Sequence, residues 1–426
     1  MFKKNVEWFL RIIKNLQRNR RKVEYRNNMI RRVFLGLFAG AICASALFAE
    51  DAGTIRKDAG RLNVPIYRVA ITSPDADTAN LAKRAFGTHG SFRLSTPSQA
   101  QFIFDFAPAG ANSVKLTIKG GTVYEQVFSG SNNVEALMKA CDAAVMKTIR
   151  TPGYFAGKIV FSYSKNGGQT SEICTSDMVF RNVRALTRDG NDSLMPHFSP
   201  DGTKIIYTGY YRTGFMDLLL IDLNTNTRKV FAAYKGSNTG GSFSPDGTRV
   251  ATILTSTGNA EVWTASAKGG GFKRITNTSA TESTPSFSPD GRTLIFAGDY
   301  RGAPQIYTAP VSGGKPSVVR TNISGYCSEP VWNKVNPDLI AFTIAQGKGF
   351  QVAVYNFRTK QTKVVSRGAS TSGPKWLNDG RHIICTKSNG VNRQLYIIDT
   401  ETDSQKPLHT TSFGSAKEPD FVYTAR

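Results

Sequence analysis

The chain has 426 residues, 40% hydrophobic and 11% aromatic, an ordinary globular balance with length for two or three domains. Its net charge of +23 is uneven: residues 1–32 carry eleven Lys or Arg against two Glu, residues 33–49 carry no charge, and +14 remains for the rest. No Lys/Arg run interleaved with aromatics follows residue 50, so the footprint of a nucleic-acid binder is missing, and the surplus reads as solubility or as attraction to an anionic surface or partner.

The first elements concern export. Met29-Ile30-Arg31-Arg32 is a short basic start, and Val33 to Ala49 is an uncharged, mostly apolar run ending in small residues before Glu50-Asp51. That layout predicts a cleaved signal peptide over 29–49. The run is short of the ~20 residues that span a bilayer. Ile42 stands where a lipoprotein signal needs a small residue before Cys43, which argues against lipidation. Residues 1–28 read as an upstream extension ahead of a true start at Met29, in preference to a basic amphipathic stretch, Val6 to Leu16, lying on a membrane. Residues 50–63 are polar and aperiodic, either a frayed terminus or a mobile segment that pairs with a partner. Export would place the mature chain outside the cytoplasm. Cys141, Cys174, Cys327 and Cys385 form no CxxC, so zinc is not expected. An oxidising compartment permits three full pairings, while the apolar settings of Cys141 and Cys174 favour buried free thiols.

Residues 50–150 are read as a small α/β domain. Val64–Ile71 is predicted as a strand and Asp77–Phe86 as a helix. Gln101–Phe106, Ser113–Ile118 and Val123–Phe128 are predicted strands. Asn132–Ile149 is a predicted helix whose Val134, Leu137, Met138, Cys141, Val145 and Ile149 share one face. Thr151-Pro152-Gly153 marks the boundary to a second domain, 151–426.

That second domain is repetitive. Pro196-His197-Phe198-Ser199-Pro200-Asp201-Gly202 recurs as Ser242-Phe243-Ser244-Pro245-Asp246-Gly247 and as Pro285-Ser286-Phe287-Ser288-Pro289-Asp290-Gly291. Weaker copies begin at Pro330, Pro374 and Pro419. Anchors at 196, 241, 285, 330, 374 and 419 are separated by 45, 44, 45, 44 and 45 residues. Two residues after each anchor stands an aromatic: Phe198, Phe243, Phe287, Trp332, Trp376, Phe421. Each repeat offers four short apolar runs with Asp-Gly or Gly-Gly between them, and four strands in ~45 residues make a propeller blade. Runs such as Leu218-Leu219-Leu220-Ile221, apolar on both sides, suit sheets covered on both faces. The last copy holds one strand and the first interval lacks an inner one. The expectation is therefore a mainly β fold, a six-bladed β-propeller whose C-terminal strand closes the first blade, preceded by the small α/β domain.

Catalytic signatures are scarce. No GxSxG elbow occurs, and none of His89, His197, His382 and His409 stands at metal-ligand spacing. His197 lies in an inner strand and His382 near another, which leaves an approach across the ring open, but a structural or solvated role is the favoured reading for each. Asp201, Asp246, Asp290 and Asp379 sit in Asp-Gly turns, where local hydrogen bonding accounts for them. No catalytic residue, metal or cofactor is assigned and the chain is expected not to be an enzyme. The alternative is a carbohydrate-active or lyase-type propeller with a site at the channel mouth.

A signal peptide, a ~100-residue α/β domain and six PxFSPDG-type repeats resemble the TolB family over residues 50–426. The helix Glu135–Ile149 running into Gly153-Tyr154-Phe155-Ala156-Gly157-Lys158-Ile159 is similar to the family's domain junction. The chain departs from the family in the 330 repeat, which lacks SPDG, in Cys141, where the family tends to have His, and in a more basic N-terminal segment. The resemblance implies a periplasmic, non-enzymatic, monomeric platform without nucleic-acid binding. It implies that a peptidoglycan-associated outer-membrane lipoprotein (Pal) docks at the propeller mouth, and that the mature N-terminal segment is offered to a TolA-type inner-membrane protein. It also implies a role in outer-membrane integrity and cell division. In the family the lipoprotein meets the loops just before each anchor. Here these carry Asp192, Ser193 and Met195; Ser237, Asn238 and Thr239; Thr281, Glu282 and Thr284; Ser328 and Glu329; Thr371 and Ser372.

Overall fold

The computed structural model describes residues 64–425 except 122, 166–169, 211–214 and 391. The extension 1–28, the signal peptide 29–49 and the polar segment 50–63 lie outside the described residues.

Two bodies follow one another in the chain. In the first, β1 (Tyr67–Thr72) leads to α1 (Ala76–Phe86), β2 (Phe92–Leu94), β3 (Phe102–Pro108), β4 (Ser113–Lys119), β5 (Tyr124–Ser129) and α2 (Asn133–Ile149). The sheet order is β2-β1-β3-β4-β5, with β1 parallel to β2 and β3, and β3-β4-β5 an antiparallel meander. The edge strand β2, three residues long, has too short a periodic pattern to be read from sequence. Asp75 caps α1 by accepting from the Thr78 amide at 2.8 Å. Asn132 caps α2 from outside it, accepting from the Glu135 amide at 3.0 Å, while Glu135 accepts in return from the Ser131 amide at 3.0 Å. Leu137, Met138, Cys141 and Val145 of α2 are buried as their spacing predicts, with Val134 and Ile149 packed at the margin.

The second body is a ring of six four-stranded antiparallel blades. The inner strands of blades two to six are Ser193–Phe198, Asn238–Phe243, Glu282–Phe287, Cys327–Trp332 and Ser370–Trp376. Blade one takes its inner strand, Ser415–Val422, from the C-terminus; it pairs antiparallel with Lys158–Ser164, Phe421 opposite Ile159. Every blade, blade one included, therefore has its inner strand, and the ring closes. Apolar clusters lie between successive blades: Val160, Ile173, Phe198 and Tyr207 between one and two, Ala341, Val352, Trp376 and Ile398 between five and six. Phe198, Phe287, Trp376 and Phe421 are buried in such clusters, which is why the aromatic two residues past the anchor recurs. Each such ring buries on the order of 150–250 Å².

The SPDG segments are turn devices. Gly202, Gly247 and Gly291 hold φ of 69°, 71° and 67°, a region open to glycine. Ser199 Oγ donates to Asp201 Oδ1 at 2.5 Å, and the Thr203 amide donates to the same oxygen at 3.0 Å. The other two copies repeat this. Serine and backbone donors hold the Asp246 carboxyl down at about 2. The aspartates are thus structural.

The two bodies are joined by more than the linker. A single core cluster runs from Phe86, Phe104 and Leu137 through Tyr154 and Phe155 into Ile384, Leu395 and Phe421. All four cysteines beyond residue 50 are buried and free. No helix among the described residues is long and apolar enough to cross a membrane.

Candidate functional site

Ten of the thirteen residues assigned to pre-anchor loops stand instead inside inner strands; Asp192, Ser237 and Thr281 alone precede them. The physical reason is a β-bulge in every inner strand, which lets the ladder continue on both sides of an extra residue. The register shifts between the partners flanking Met195, Gly240, Thr284, Glu329, Gly373 and Glu418. All six residues have φ between 50° and 65°. They are the residues immediately before the six anchors, so the bulge follows the same 45- and 44-residue steps as the sequence repeat.

Four of the six bulges are held by the preceding blade. Met195 N–H donates to Glu418 Oε2 at 2.8 Å, Gly240 N–H to Thr208 Oγ1 at 3.2 Å, Gly373 N–H to Glu329 Oε2 at 2.8 Å and Glu418 N–H to Thr386 Oγ1 at 2.8 Å. Four amides that the ladder would leave unpaired are satisfied across blade boundaries. Glu329 and Glu418 are each both a bulge residue and a tie to the next bulge. Burial raises the Glu329 carboxyl. At Glu418 burial acts the same way, but Lys417 and the Met195 amide bring the carboxyl below its ordinary value.

Of the thirteen residues, six are buried: Ser193, Asn238, Thr239, Glu282, Ser328 and Thr371. Several are committed to the scaffold. Asn238 Nδ2 donates to Tyr234 O at 2.9 Å and its Oδ1 accepts from the Tyr234 amide at 2.9 Å. Glu282 accepts from the Val262 amide at 3.0 Å and Thr278 Oγ1 at 3.0 Å, and also from Thr276 and Tyr300. The other seven, Asp192, Met195, Ser237, Thr281, Thr284, Glu329 and Ser372, retain solvent exposure at the strand starts.

A second ring lies two residues further on: His197, Ser242, Ser286, Val331, Lys375 and Asp420, each half-buried. It is polarised. Blades six, one and two contribute Lys375, Asp420 and His197, whereas blades three to five contribute Ser, Ser and Val. Asp420 Oδ2 accepts from the Phe198 amide at 2.8 Å and lies 3.6 Å from His197 Nδ1. Burial raises the Asp420 carboxyl, and His197 with Lys375 outweighs it, bringing it to about 2. Burial lowers both His197 and Lys375. This arc was missed in sequence because Lys375 and Asp420 sit in the weakest repeats; the signal was the position directly after each anchor.

His197 and His382 do not meet across the ring. His197 pairs with Asp420, while His382 sits beyond the other end of an inner strand, against the α/β body. There His89, Asp379 and His382 bring donor atoms within 4.8 Å of one another. The chemistry does not suit a cation. His89 Nδ1 accepts from the Ser91 amide at 3.2 Å, so its proton stands on Nε2. Asp379, 2.5 Å from His382 Nδ1, raises His382 to about 9 against its burial, so that ring is an imidazolium. Neither ring presents a lone pair to a metal.

The α/β body contacts the SPDG end of the ring: the centroid of its His89 ring lies 4.5 Å from that of His382, which follows the Asp379-Gly380 turn. The bulged strand starts lie at the opposite end, about 20 Å along an extended strand. The channel end carrying the exposed candidate residues is therefore the one away from the α/β body.

Known proteins bear on this geometry. The family model described as the TolB beta propeller domain matches residues 146–423. The Tol-Pal system protein TolB of Bordetella pertussis is 27% identical over 201 residues, 46% of this chain and 45% of that protein. The aligned region thus spans less than half the length of that curated relative. The crystal structure of TolB from Acinetobacter baumannii superimposes with a TM-score of 0.75 at 20% identity, covering 84% of this chain and 96% of that one. Kuenenia stuttgartiensis hydrazine synthase matches with a TM-score of 0.53 at 14% identity, covering 63% of this chain and 47% of that one, so the ring also occurs in an enzyme. With six blades closed by the C-terminal strand behind an α/β body, and a family model matched over most of its length, the chain belongs to the TolB β-propeller family.

Proposed function

We propose that this chain is a non-enzymatic protein-binding platform of a Tol–Pal-type envelope system, acting in the periplasm after removal of a signal peptide over 29–49. The domain division behind this reading is 50–150 for the α/β domain and 151–426 for the propeller. One observation carries the reading: the channel end away from the α/β body is ringed by six bulged strand starts bearing short polar side chains. Ser237, Thr281, Thr284 and Ser372 suit an adaptable hydrogen-bonding rim, and Asp192 and Glu329 add acidic acceptors. On this reading Pal docks at that end, and the mature N-terminal segment from residue 50 is offered to a TolA-type inner-membrane protein. The protein then couples the outer membrane to the inner-membrane Tol proteins, for envelope integrity and for constriction at division. The channel residues serve as contacts and ties, with no bond-making step asked of them.

Binding of purified Pal to the wild-type chain and to Thr281→Arg and Ser372→Arg tests the reading. Both positions are at strand starts, so the melting temperature is expected to hold. The expected result is at least about tenfold weaker binding in each variant, a loss of about 1.4 kcal/mol. Full binding by both variants would remove the mouth from the reading, and no binding by the wild type would remove Pal.

A further inference from the structure

A second polar cluster lies between the α/β body and blade six, outside the channel. His89, in the turn after α1, is 2% exposed and stacks on the Tyr154 ring at 5.6 Å between centroids and 6° between planes. His382 packs against both rings, its centroid 4.5 Å from that of His89 and 4.9 Å from that of Tyr154. His382 is fully buried at the start of the strand His382–Asn389. Around it blade six supplies Asp379, Arg381 and Asp399, with Glu401 at the margin. Arg381 donates to Asp399 through Nε at 2.8 Å and Nη2 at 2.6 Å, and approaches Glu401 at 3.1 Å. His382 Nε2 stands 3.5 Å from Asp399 Oδ2. The α/β side and the linker add Tyr154, whose hydroxyl lies 3.1 Å from Thr88 Oγ1, and Asp142 behind it.

Two features make this a loaded contact. First, the nearest charges pair off: Asp379 lies on the His382 imidazolium and Asp399 on Arg381, with Glu401 also on Arg381. A proton on His89 would stand beside the His382 charge, ring centroids 4.5 Å apart. Second, the fit is tight. A Cβ on Gly90 would stand 1.9 Å from Asp399 Oδ2, so the turn that carries His89 lies directly on the blade-six carboxylate. The Nε2 atoms of both histidines lack a hydrogen-bond partner. The His89 Nε2–H lacks an acceptor, and the His382 Nε2–H has only Asp399 Oδ2, at 3.5 Å.

We propose that this contact is an acid-sensitive latch: protonation of His89 sets a second imidazolium against His382 and frees the turn after α1 from blade six, loosening the α/β body from the ring. Burial and the His382 charge hold His89 well below an ordinary histidine, with Asp379 and Asp399 opposing and Arg381 adding to the shift. A depressed histidine favours the closed contact at pH above its unfolded value, about 6.5, and that preference is lost as the pH falls. His382 works in the other direction, since its raised value lets the contact weaken as the pH rises through about 9. Asp142, pushed up to about 7 by burial against donors from Phe155, Ala156 and Tyr423, titrates nearby and is common to wild type and variant. The α/β body carries the chain's approach from the N-terminal segment, so a latch here gives that side of the molecule a control separate from the channel end.

Hydrogen exchange of the full chain, corrected for intrinsic rates, tests this at about pH 8 and about pH 5. In the wild type, amides of residues 87–92 and 378–383 are expected to exchange at least about tenfold faster at the lower pH, while inner strands of blades three and four keep their protection. In His89→Phe, which preserves the ring stack and cannot take a proton, that acceleration should vanish. An equal acid response in His89→Phe, or none in the wild type, overturns the latch. If His89→Phe does not fold, imidazole NMR of the wild type decides: a His89 that titrates near 6.5, or that carries its proton on Nδ1, overturns it. Added Zn²⁺ that slows exchange in both segments would also overturn it, because it would show lone pairs where the latch requires N–H groups.

Discussion

Tyr423 donates its phenol to Asp142 at 2.9 Å, joining the strand that closes the ring to the helix that precedes the ring. The same carboxylate accepts from the Phe155 amide at 2.7 Å and the Ala156 amide at 3.0 Å. One buried acid thus gathers α2, the linker and the C-terminus.

Tyr423→Phe should expose the importance of that junction. It removes one donor from a buried carboxylate and leaves the packing ring, at a cost of about 1–3 kcal/mol. A lower denaturant midpoint with an unchanged m-value is expected. Asp142→Ala should cost more, because it strands two backbone amides as well.

Removal of residues 415–426 should abolish cooperative unfolding. The strand Ser415–Val422 supplies the inner ladder of blade one, and Phe421 fills the space against Gly157. Loss of roughly 0.5–1.5 kcal/mol net per ladder hydrogen bond, together with that ring, takes several kcal/mol from a marginal balance. A truncated chain that melts as sharply and as high as the intact one would refute ring closure.

The bulges predict opposite outcomes for opposite substitutions. Gly240 has φ 65°, and a methyl added there would meet nothing nearer than Pro285 Cδ at 3.8 Å. Gly240→Ala should therefore cost about 1–2 kcal/mol from backbone conformation alone. Thr284 occupies the same position in blade four at φ 50°, so Thr284→Gly should stabilise the ring by up to about 1 kcal/mol. Thermal melts of the two variants check both signs.

Asp420 predicts a pH dependence. Its folded value, about 2, lies below the ordinary 3.8, so the stability it contributes is present above about pH 4 and is lost as the pH falls through 2. Asp420→Asn should be less stable than wild type by about 1–2 kcal/mol at pH 7, and the two melting temperatures should converge as the pH approaches 2. A gap that stays constant through that range would show that the carboxylate is not held by His197 and Lys375.

Much of this architecture was legible in the chain itself. The anchors at 45- and 44-residue steps and the aromatics two residues after them declare blades, because each blade must cover both of its faces and therefore repeats the same apolar residues in the same register. The incomplete first and last repeats declare the closure, since an inner strand without a partner and a blade without an inner strand solve one another. The start of α2 was legible at Asn132, whose side chain caps it, whereas Asp75, the cap of α1, was not singled out.

Only the tertiary structure decided where the polar residues go. Glu282 and Glu329 stand three residues and one residue before their anchors; one is sealed beneath Thr276, Thr278 and Tyr300, the other ties a bulge in the next blade. His382 met His89 from a separate body, not His197 across the ring. Periodicity reports which side of a strand is covered, because burial of apolar surface is non-directional and sums along the chain. A charged or hydrogen-bonding group is placed by one or two directional partners, and those partners come from other strands and loops that no periodic pattern names.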